Sequence, residues 1–249
     1  METHPPHVHH TSEKKFSNYF YEFLMLFLAV FCGFLAENLR EANVEKHREI
    51  QYIKSMIEDL KKDTGNISIA VKEFEVLSYS FDTVLNNFDR SVISFSQPWS
   101  NSFVRIIKKG YPDYYYTDRT LQQLKNSGGM RLIKNQIVSN QIVDYDDANK
   151  DFITEDGFLT FIQQKAFDTA LRMWSFKRVE QKTHSTKWGQ MNVPEGDYWI
   201  IRDIESLEYL FNIISQFHRS ETFQKTRLLE IQVQAVQLIE TLNKEYKLD

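Results

Sequence analysis

The chain has 249 residues, of which 42% are hydrophobic and 26% charged, a balance typical of a folded protein. Its net charge of -4 comes from interspersed acids and bases, so we expect no nucleic-acid partner. The 8 Gly and 5 Pro are too few for the turns of a β-sandwich or barrel, which favours long helices. A single cysteine, Cys32, excludes an internal disulfide and a cysteine-based zinc site.

The first 18 residues form a polar segment that we expect to be disordered, because it contains prolines and lacks an apolar pattern. Its imidazoles predict weak binding of a transition metal or a response to protons. Such a flexible segment can also bind a metal without that being its function. The histidines concerned are His4, His7, His9 and His10.

Residues 19–37 are the most apolar stretch of the chain and are predicted to form a transmembrane helix. Glu22 is the only charged residue from Phe16 to Ala36, a span close to the ~20 residues that cross a bilayer. Large apolar side chains occur on every side of this helix, which suits lipid better than a globular core.

A cleaved signal peptide and a buried core helix are the alternatives to a membrane anchor. Lys14 and Lys15 precede the apolar stretch as they would in a signal, but Phe34 stands where cleavage after Ala36 needs a small residue. The same two lysines and the short N-terminal segment favour an N-terminus inside the cell and an exported C-terminal domain.

One stripe of this helix carries its small residues together with its acid. The stripe contains Glu22, Ala29, Gly33 and Ala36, and small residues of this kind let another membrane helix approach closely. Two interpretations of Glu22 remain open. It lies at the membrane boundary and reaches water, or it faces a partner helix and needs a hydrogen-bond partner or a proton.

Residues 38–96 are predicted to form a long amphipathic helix with the heptad pattern of a coiled coil. Only Thr64 and Ser78 interrupt the apolar positions. Neither Pro nor Gly separates this helix from the anchor, so we expect the two to be continuous, as a rigid stalk or merely as a connection. The apolar positions are Ile50, Ile53, Ile57, Leu60, Ile67, Val71, Phe74, Phe81, Leu85, Phe88, Val92 and Phe95.

Pro98 is predicted to end this helix, because proline cannot continue it. The following segment, residues 97–117, is then expected to be irregular and rich in aromatic residues. These side chains either pack the segment onto a bundle or stack on a ligand. They are Trp99, Tyr111, Tyr114, Tyr115 and Tyr116.

Apolar periodicity predicts three further helices, at about residues 118–127, 130–182 and 203–246. Gly128 and Gly129 indicate the end of the first, Asp156-Gly157 a break or kink in the second, and Asp203 the start of the third. We therefore predict an all-α fold, in which an N-terminal transmembrane helix continues into an antiparallel bundle of long helices at residues 38–249.

No motif in the sequence indicates catalysis. It has no nucleotide-binding loop, metalloprotease motif, serine-hydrolase elbow or paired Cys-x-x-Cys. The adjacent acids Asp146 and Asp147 point in different directions on a helix and make no acid–base pair. We therefore expect neither enzymatic activity nor a cofactor.

Two segments carry a resemblance to a known family. EDLKKDT at residues 58–64, following the apolar stretch, and TLQQLKNSGGMRLIKNQIVSNQIVDYD at residues 120–146 resemble an uncharacterised family of bacterial single-pass membrane proteins. The family combines an N-terminal span, a long helix, a Leu-x-x-Ser-Gly-type turn and a closing helix. The resemblance covers most of residues 20–249 and implies topology alone. From this topology and the orientation favoured by the flanking lysines, we expect the bacterial inner membrane as location and the C-terminal domain in the periplasm.

Two functions follow as expectations. The first is a protein that acts at the lipid bilayer by associating with a protein partner or with further copies of itself. The alternative is an extracytoplasmic ligand sensor, which binds a small molecule near Trp99 to Tyr116 and passes a conformational shift through the stalk to the membrane.

Overall fold

The computed structural model describes residues 16–86, 96–110, 112–182 and 192–248. Within these ranges the chain is helical and has no strand, and the predicted all-α class is confirmed. A 3-10 turn, Gly129–Leu132, separates the third and fourth helices. The helices are α1 (Phe16–Asn86), α2 (Gln97–Lys109), α3 (Arg119–Asn126), α4 (Gln136–Met173), α5 (Phe176–Lys182) and α6 (Ile204–Tyr246).

Helix α1 contains the apolar stretch and is helical without interruption to Asn86. Among the described residues, this helix alone is long and apolar enough to cross a membrane, with a mean hydropathy of 1.9 over its most apolar window. None of that window is buried, whereas a core helix would bury it. The chain divides into two compact units, Met1–Gln51 and Tyr52–Asp249.

In the second unit, the chain returns along α1 through α2, the extended residues 112–118 and α3. Near the start of this return, the Trp99 indole donates a hydrogen bond to the Val84 carbonyl oxygen at 3.3 Å. Near its end, the Thr120 amide donates to the Asp59 carboxylate at 3.0 Å. As the residue numbers rise along α2, residues 112–118 and α3, the numbers of the α1 residues that they contact fall. This segment, which we call the broken leg, therefore runs antiparallel to α1.

Helix α6 runs antiparallel to both α1 and α4. Against α1, Ser68 contacts Gln232, and Ser78 contacts Glu221 at 2.9 Å. Against α4, the residues around 155–159 lie beside 219–224, and those around 161–173 lie beside 206–209. The predicted antiparallel bundle of long helices is therefore confirmed, as a four-legged bundle with up-down-up-down order.

The segment expected to be irregular is largely helical. Residues 97–109 form α2, and Pro98 stands in its first turn, where the missing amide hydrogen costs nothing. The helix ends at Gly110, whose φ of 69° is a left-handed conformation that suits glycine. The described part of α1 ends at Asn86, and residues 87–95 lie outside the described residues, so the predicted end at residue 96 stays a prediction.

The predicted helix at 130–182 is divided differently from our expectation. Asn135 caps α4 by accepting hydrogen bonds from the Ile137 and Val138 amides. The helix then continues through Gly157, because a single glycine costs only about 1 kcal/mol and the long packed helix on either side outweighs it. The break comes instead at Trp174, which forms an isolated antiparallel bridge with Trp199 before α5 begins.

Two apolar cores fill this bundle. One lies among the C-terminal part of α1, α2, α4 and the start of α6, and contains the indoles of Trp99, Trp174 and Trp199. The other lies among the residues of α1 from Ile53 to Phe74, α3, the start of α4 and the end of α6. Buried polar side chains occur between the helices in both regions.

Candidate interaction surface and buried polar groups

The four described aromatic residues of the predicted ligand segment are not brought together in one place. Trp99 is buried and stacks on Phe103, with ring centroids 5.2 Å apart, in the first core. Tyr114 and Tyr116 pack against the second core. Tyr115 is 73% exposed, and Tyr111 lies outside the described residues.

Tyr114 and Tyr116 instead fix the extended residues 112–118 to α4. The Tyr114 hydroxyl donates to Asn149 Oδ1 at 2.8 Å, and the Tyr116 hydroxyl donates to Asp146 Oδ1 at 3.2 Å. Burial raises the pKa of both phenols, so each remains a hydrogen-bond donor across the physiological range. These side chains pack the segment onto the bundle, the first of the two roles expected for them.

The proposed membrane stripe lies on α1, where Glu22, Ala29, Gly33 and Ala36 are all exposed within the single chain. No atom lies within 4 Å of a Cβ built on Gly33. The surface is therefore open, as close approach of another helix would require. His4, His7, His9 and His10 lie outside the described residues.

Asp59 joins α1 to the start of α3. Its Oδ2 atom accepts hydrogen bonds from the Thr120 amide at 3.0 Å and the Thr120 hydroxyl at 2.5 Å. Its Oδ1 atom pairs with the Arg119 guanidinium at 2.7 Å. A carboxylate that is only 3% exposed thus has donors on both oxygens, as burial of a charge requires.

One turn further along α1, Asp63 is fully buried. It accepts hydrogen bonds from the Thr117 amide at 2.8 Å and from the Tyr145 hydroxyl at 2.9 Å. Burial raises the pKa of the Asp63 carboxyl, while these hydrogen bonds act in the opposite direction. Asp63 therefore joins α1, the extended residues 112–118 and α4.

Asp146 on α4 is also fully buried, but it has two basic partners. Lys125 lies 2.5 Å from its Oδ2 atom, and Lys150 forms a second ion pair with the same atom. Burial acts to raise the pKa of the Asp146 carboxyl, but the hydrogen bonds from both lysines outweigh it, and the pKa is lowered.

One oxygen of each of these three carboxylates is engaged by a donor from α3 or from the extended residues 112–118, as in a structural network. In residues 16–86, 96–110, 112–182 and 192–248, no three His, Cys, Asp or Glu side chains come together as metal ligands.

Two solvent-open concavities lie on the outer side of the α4 and α6 pair. One is a groove of about 580 Å³ between the C-terminal half of α4 and the start of α6. The other, of about 370 Å³, lies between the middle of α4 and the middle of α6. We refer to the surface containing both as the outer face, and its main residues are Glu155, Phe158, Phe161, Lys165, Asp168, Arg172, Tyr209, Arg219 and Phe223.

Aromatic side chains on the outer face are unusually open to solvent. Phe158 is 60% exposed, Phe161 61%, Tyr209 50% and Phe223 55%. Isolated exposed apolar residues are ordinary, but several along one groove mark an interaction surface. Their charged neighbours include acids as well as bases, and the Lys165 ammonium lies 5.6 Å from the centre of the Tyr209 ring.

Sequence reasoning missed this face, although a signal for it was present. Phe161 and Leu171 follow the apolar helical spacing of α4 but are 61% and 47% exposed, whereas its core stripe contains Leu159, Ala166 and Ala170. A second apolar stripe on one helix exceeds what the core of a bundle needs. That excess was readable from the sequence.

Comparison with known proteins found no match to a family model, a curated protein or a solved structure. The resemblance to bacterial single-pass membrane proteins therefore stays a prediction. Function must be argued from the fold, from the apolar part of α1 and from the outer face.

Proposed function

We propose that this protein is a single-pass membrane protein whose helical bundle associates with a second copy of the same chain through the outer face. The observation that carries the proposal is the line of exposed aromatic side chains along the α4–α6 grooves. Aromatic residues and Arg are enriched where protein interfaces gain most of their binding energy. The outer face has both, at Phe158, Phe223 and Arg219.

The charges on this face favour a second copy over a partner of one charge sign. Glu155 and Asp168 are accompanied by Lys165, Arg172 and Arg219, so neither sign dominates. A surface that carries both signs can be complementary to itself when a two-fold axis relates two copies.

The arrangement of the two helices supplies the geometry for such a pairing. A two-fold axis parallel to α4 and α6 lays α4 of one copy against α6 of the other at the same level. Glu155 and Phe158 line the same groove as Arg219 and Phe223, so they stand at one level. Glu155 would then meet Arg219 of the second copy, and Phe158 would meet its Phe223.

Membrane attachment supports this association energetically. The apolar part of α1 is exposed and long enough to span a bilayer. Confining the chain to a membrane raises its effective concentration, so that a weak interface suffices. In keeping with the resemblance, we place the protein in the bacterial inner membrane with residues 52–249 in the periplasm.

The ligand-sensor alternative has less support. Its expected binding segment uses Trp99, Tyr114 and Tyr116 in packing and hydrogen bonding within the bundle. A side chain already engaged in this way offers little surface for stacking on a small molecule.

A charge-swap experiment tests the proposed interface. In sedimentation equilibrium of the full-length chain in detergent micelles, Glu155→Arg and Arg219→Glu should each weaken dimerisation about ten-fold or more, because like charges then face each other. The double variant should restore it. Glu240→Arg, an exposed acid elsewhere on α6, is the matched control and should have no effect.

Two results would contradict the proposal. A wild-type chain that stays monomeric excludes self-association, and a dimer that tolerates both single reversals excludes the outer face.

Topology is tested separately by protease treatment of bacterial cells. Protease should cleave a periplasmic domain only after the outer membrane has been opened. Without added protease, the chain should be found in the membrane fraction with its apolar helix still attached.

A further inference from the structure

Glu221 is a fully buried carboxylate in the packing between α6 and α1. The Ser78 hydroxyl lies 2.9 Å from one of its oxygens and 3.2 Å from the other. A serine hydroxyl has a single hydrogen, so it cannot fully satisfy both oxygens of an ionised carboxylate. The Thr222 hydroxyl adds only a long contact of 3.5 Å.

No basic side chain in the described part of the chain forms an ion pair with Glu221. Lys225, one turn along α6, pairs with Glu75 of α1 at 4.0 Å instead. The buried acids Asp59 and Asp146, in contrast, each have a basic partner. Asp63, a fourth buried acid, accepts a separate donor on each of its oxygens, so an ionised Glu221 is the least compensated of the four.

Titratable side chains near Glu221 also affect its ionisation. Burial raises the pKa of Glu221 to about 7, with a smaller contribution from Asp82 of α1, while Ser78 and Lys225 oppose that rise. On the same side, His218 stacks on Phe81 at 4.9 Å, and burial lowers its pKa.

On the α4 side of α6, Glu155 lines the groove next to Gln224. The side-chain amide oxygen of Gln224, Oε1, is buried and has no hydrogen-bond partner within the described residues. A poorly compensated carboxyl and an unsatisfied acceptor thus lie within one turn of α6. Both lower the cost of separating this turn from its neighbours.

We propose that Glu221 is a proton-controlled latch between α1 and α6: its protonated form holds the middle of α6 closed, and its ionised form opens it locally. The inference rests on the packing within one chain and does not depend on self-association. Ser220 and Phe223, on either side of this position, line the outer groove, so opening also changes that surface.

The direction of the pH dependence follows from linkage. In the closed form the pKa of Glu221 is about 7, and in the water-exposed open form it returns towards 4.5. The closed form therefore holds the proton more tightly, and its stability falls as the pH rises through this range. Between pH 6 and pH 8, the opening equilibrium should increase about ten-fold.

Hydrogen exchange of the full-length chain in detergent micelles, corrected for the intrinsic exchange rate, tests the latch. Peptides containing Ser78 and Glu221 should exchange about ten-fold faster at pH 8 than at pH 6. Glu221→Gln should remove this dependence, and the exposed control Glu240→Gln should retain it. Ser78→Ala should move the midpoint to higher pH, because it removes the donor that stabilises the ionised form.

The outcomes separate cleanly. An unchanged pH dependence in Glu221→Gln, or none in the wild type, would overturn the latch. Equal changes in the peptides around the buried Leu238, near the C-terminal end of α6, would also overturn it, because they would indicate a general loss of stability. Dimer formation is not part of this measurement, so its result is distinct from that of the charge swap.

Discussion

Asp59 accepts two hydrogen bonds from the single residue Thr120, one from its amide and one from its hydroxyl. This pairing fixes the start of α3 to α1 and ends the broken leg of the bundle. Both residues are buried, so water cannot replace either bond. The relationship makes Asp59 a sensitive point for the stability of the fold.

We predict that Asp59→Asn lowers the free energy of unfolding by about 2 kcal/mol, because an amide nitrogen replaces one accepting oxygen and leaves buried donors unpaired. Urea unfolding of the full-length chain in micelles, followed by tryptophan fluorescence, measures the change. Glu58→Gln is the neighbouring exposed control and should shift the midpoint very little. Equal effects of the two substitutions would show that the Thr120 contacts contribute nothing.

The Tyr145 hydroxyl bonded to Asp63 gives a second prediction. Tyr145→Phe should cost about 1–2 kcal/mol, because a buried carboxylate loses one of its donors. Tyr115→Phe removes the same atom from an exposed side chain and should be neutral. The same unfolding assay compares them, and a neutral Tyr145→Phe would mean that Asp63 does not depend on this bond.

Asp146 gives a prediction in acid. Its folded pKa is lowered, so its contribution to stability is present above its ordinary pKa of 3.8 and is lost as the pH falls through the lower folded value. Both lysine partners are partly exposed, so we expect the contribution to be about 1 kcal/mol.

Asp146→Asn should therefore be less stable than wild type at neutral pH, and the difference should shrink as the pH is lowered below 3.8. Urea unfolding between pH 3 and pH 7 measures the two curves. A constant difference over that range would show that the ionised state of Asp146 is not what stabilises the bundle.

Gly110 provides a test of the end of α2. Its φ of 69° disfavours other residues, and a Cβ atom there would clash with Gln163 Nε2. Gly110→Ala should cost about 1–2 kcal/mol in the unfolding assay, from backbone strain together with displacement of that side chain. Removing the obstacle with Gln163→Ala should recover only the steric part.

Gly157 is the matched control for this substitution. It lies within α4, and nothing is within 4 Å of a Cβ built on it. Gly157→Ala should stabilise the chain by up to about 1 kcal/mol, because alanine is the better helix former. Gly110→Ala is thus expected to lower the free energy of unfolding, and Gly157→Ala to raise it.

The local patterns of α1 were predictable from the sequence. Ile53, Leu60 and Phe74 repeat with helical spacing, and all three are buried in the bundle. The two interruptions of that pattern also acquire a reason. Ser78 stands opposite Glu221, and the Thr64 carbonyl accepts a hydrogen bond from Gln232, so both positions face polar groups of α6.

Helix α2 was not predicted because Pro98 is compatible with two structures, the end of one helix and the start of another. Proline stops a helix that precedes it but suits the first turn of a helix that follows. Pro98 was interpreted only in the first sense. The spacing of Trp99, Phe103, Ile106 and Ile107, all buried in α2, was the available sign of the second.

The buried polar pairs could not be predicted in this way. Asp59 and Thr120 are 61 residues apart, and Ser78 and Glu221 are 143 apart. Periodicity describes one helix at a time and carries no information about which polar residue on another helix lies opposite. The all-α class therefore followed from the sequence, whereas the network and the latch required the packed structure.

The most direct test of the account places a photoactivatable cross-linker at Phe223 of the full-length chain and irradiates native membranes. We predict a cross-linked dimer of the chain, and a much weaker one with the cross-linker at Tyr115, which is exposed but lies off the outer face. Glu155→Arg should reduce the Phe223 product, and adding Arg219→Glu should restore it. A chain that remains monomeric, or that cross-links only to a different protein, would contradict self-association through the outer face.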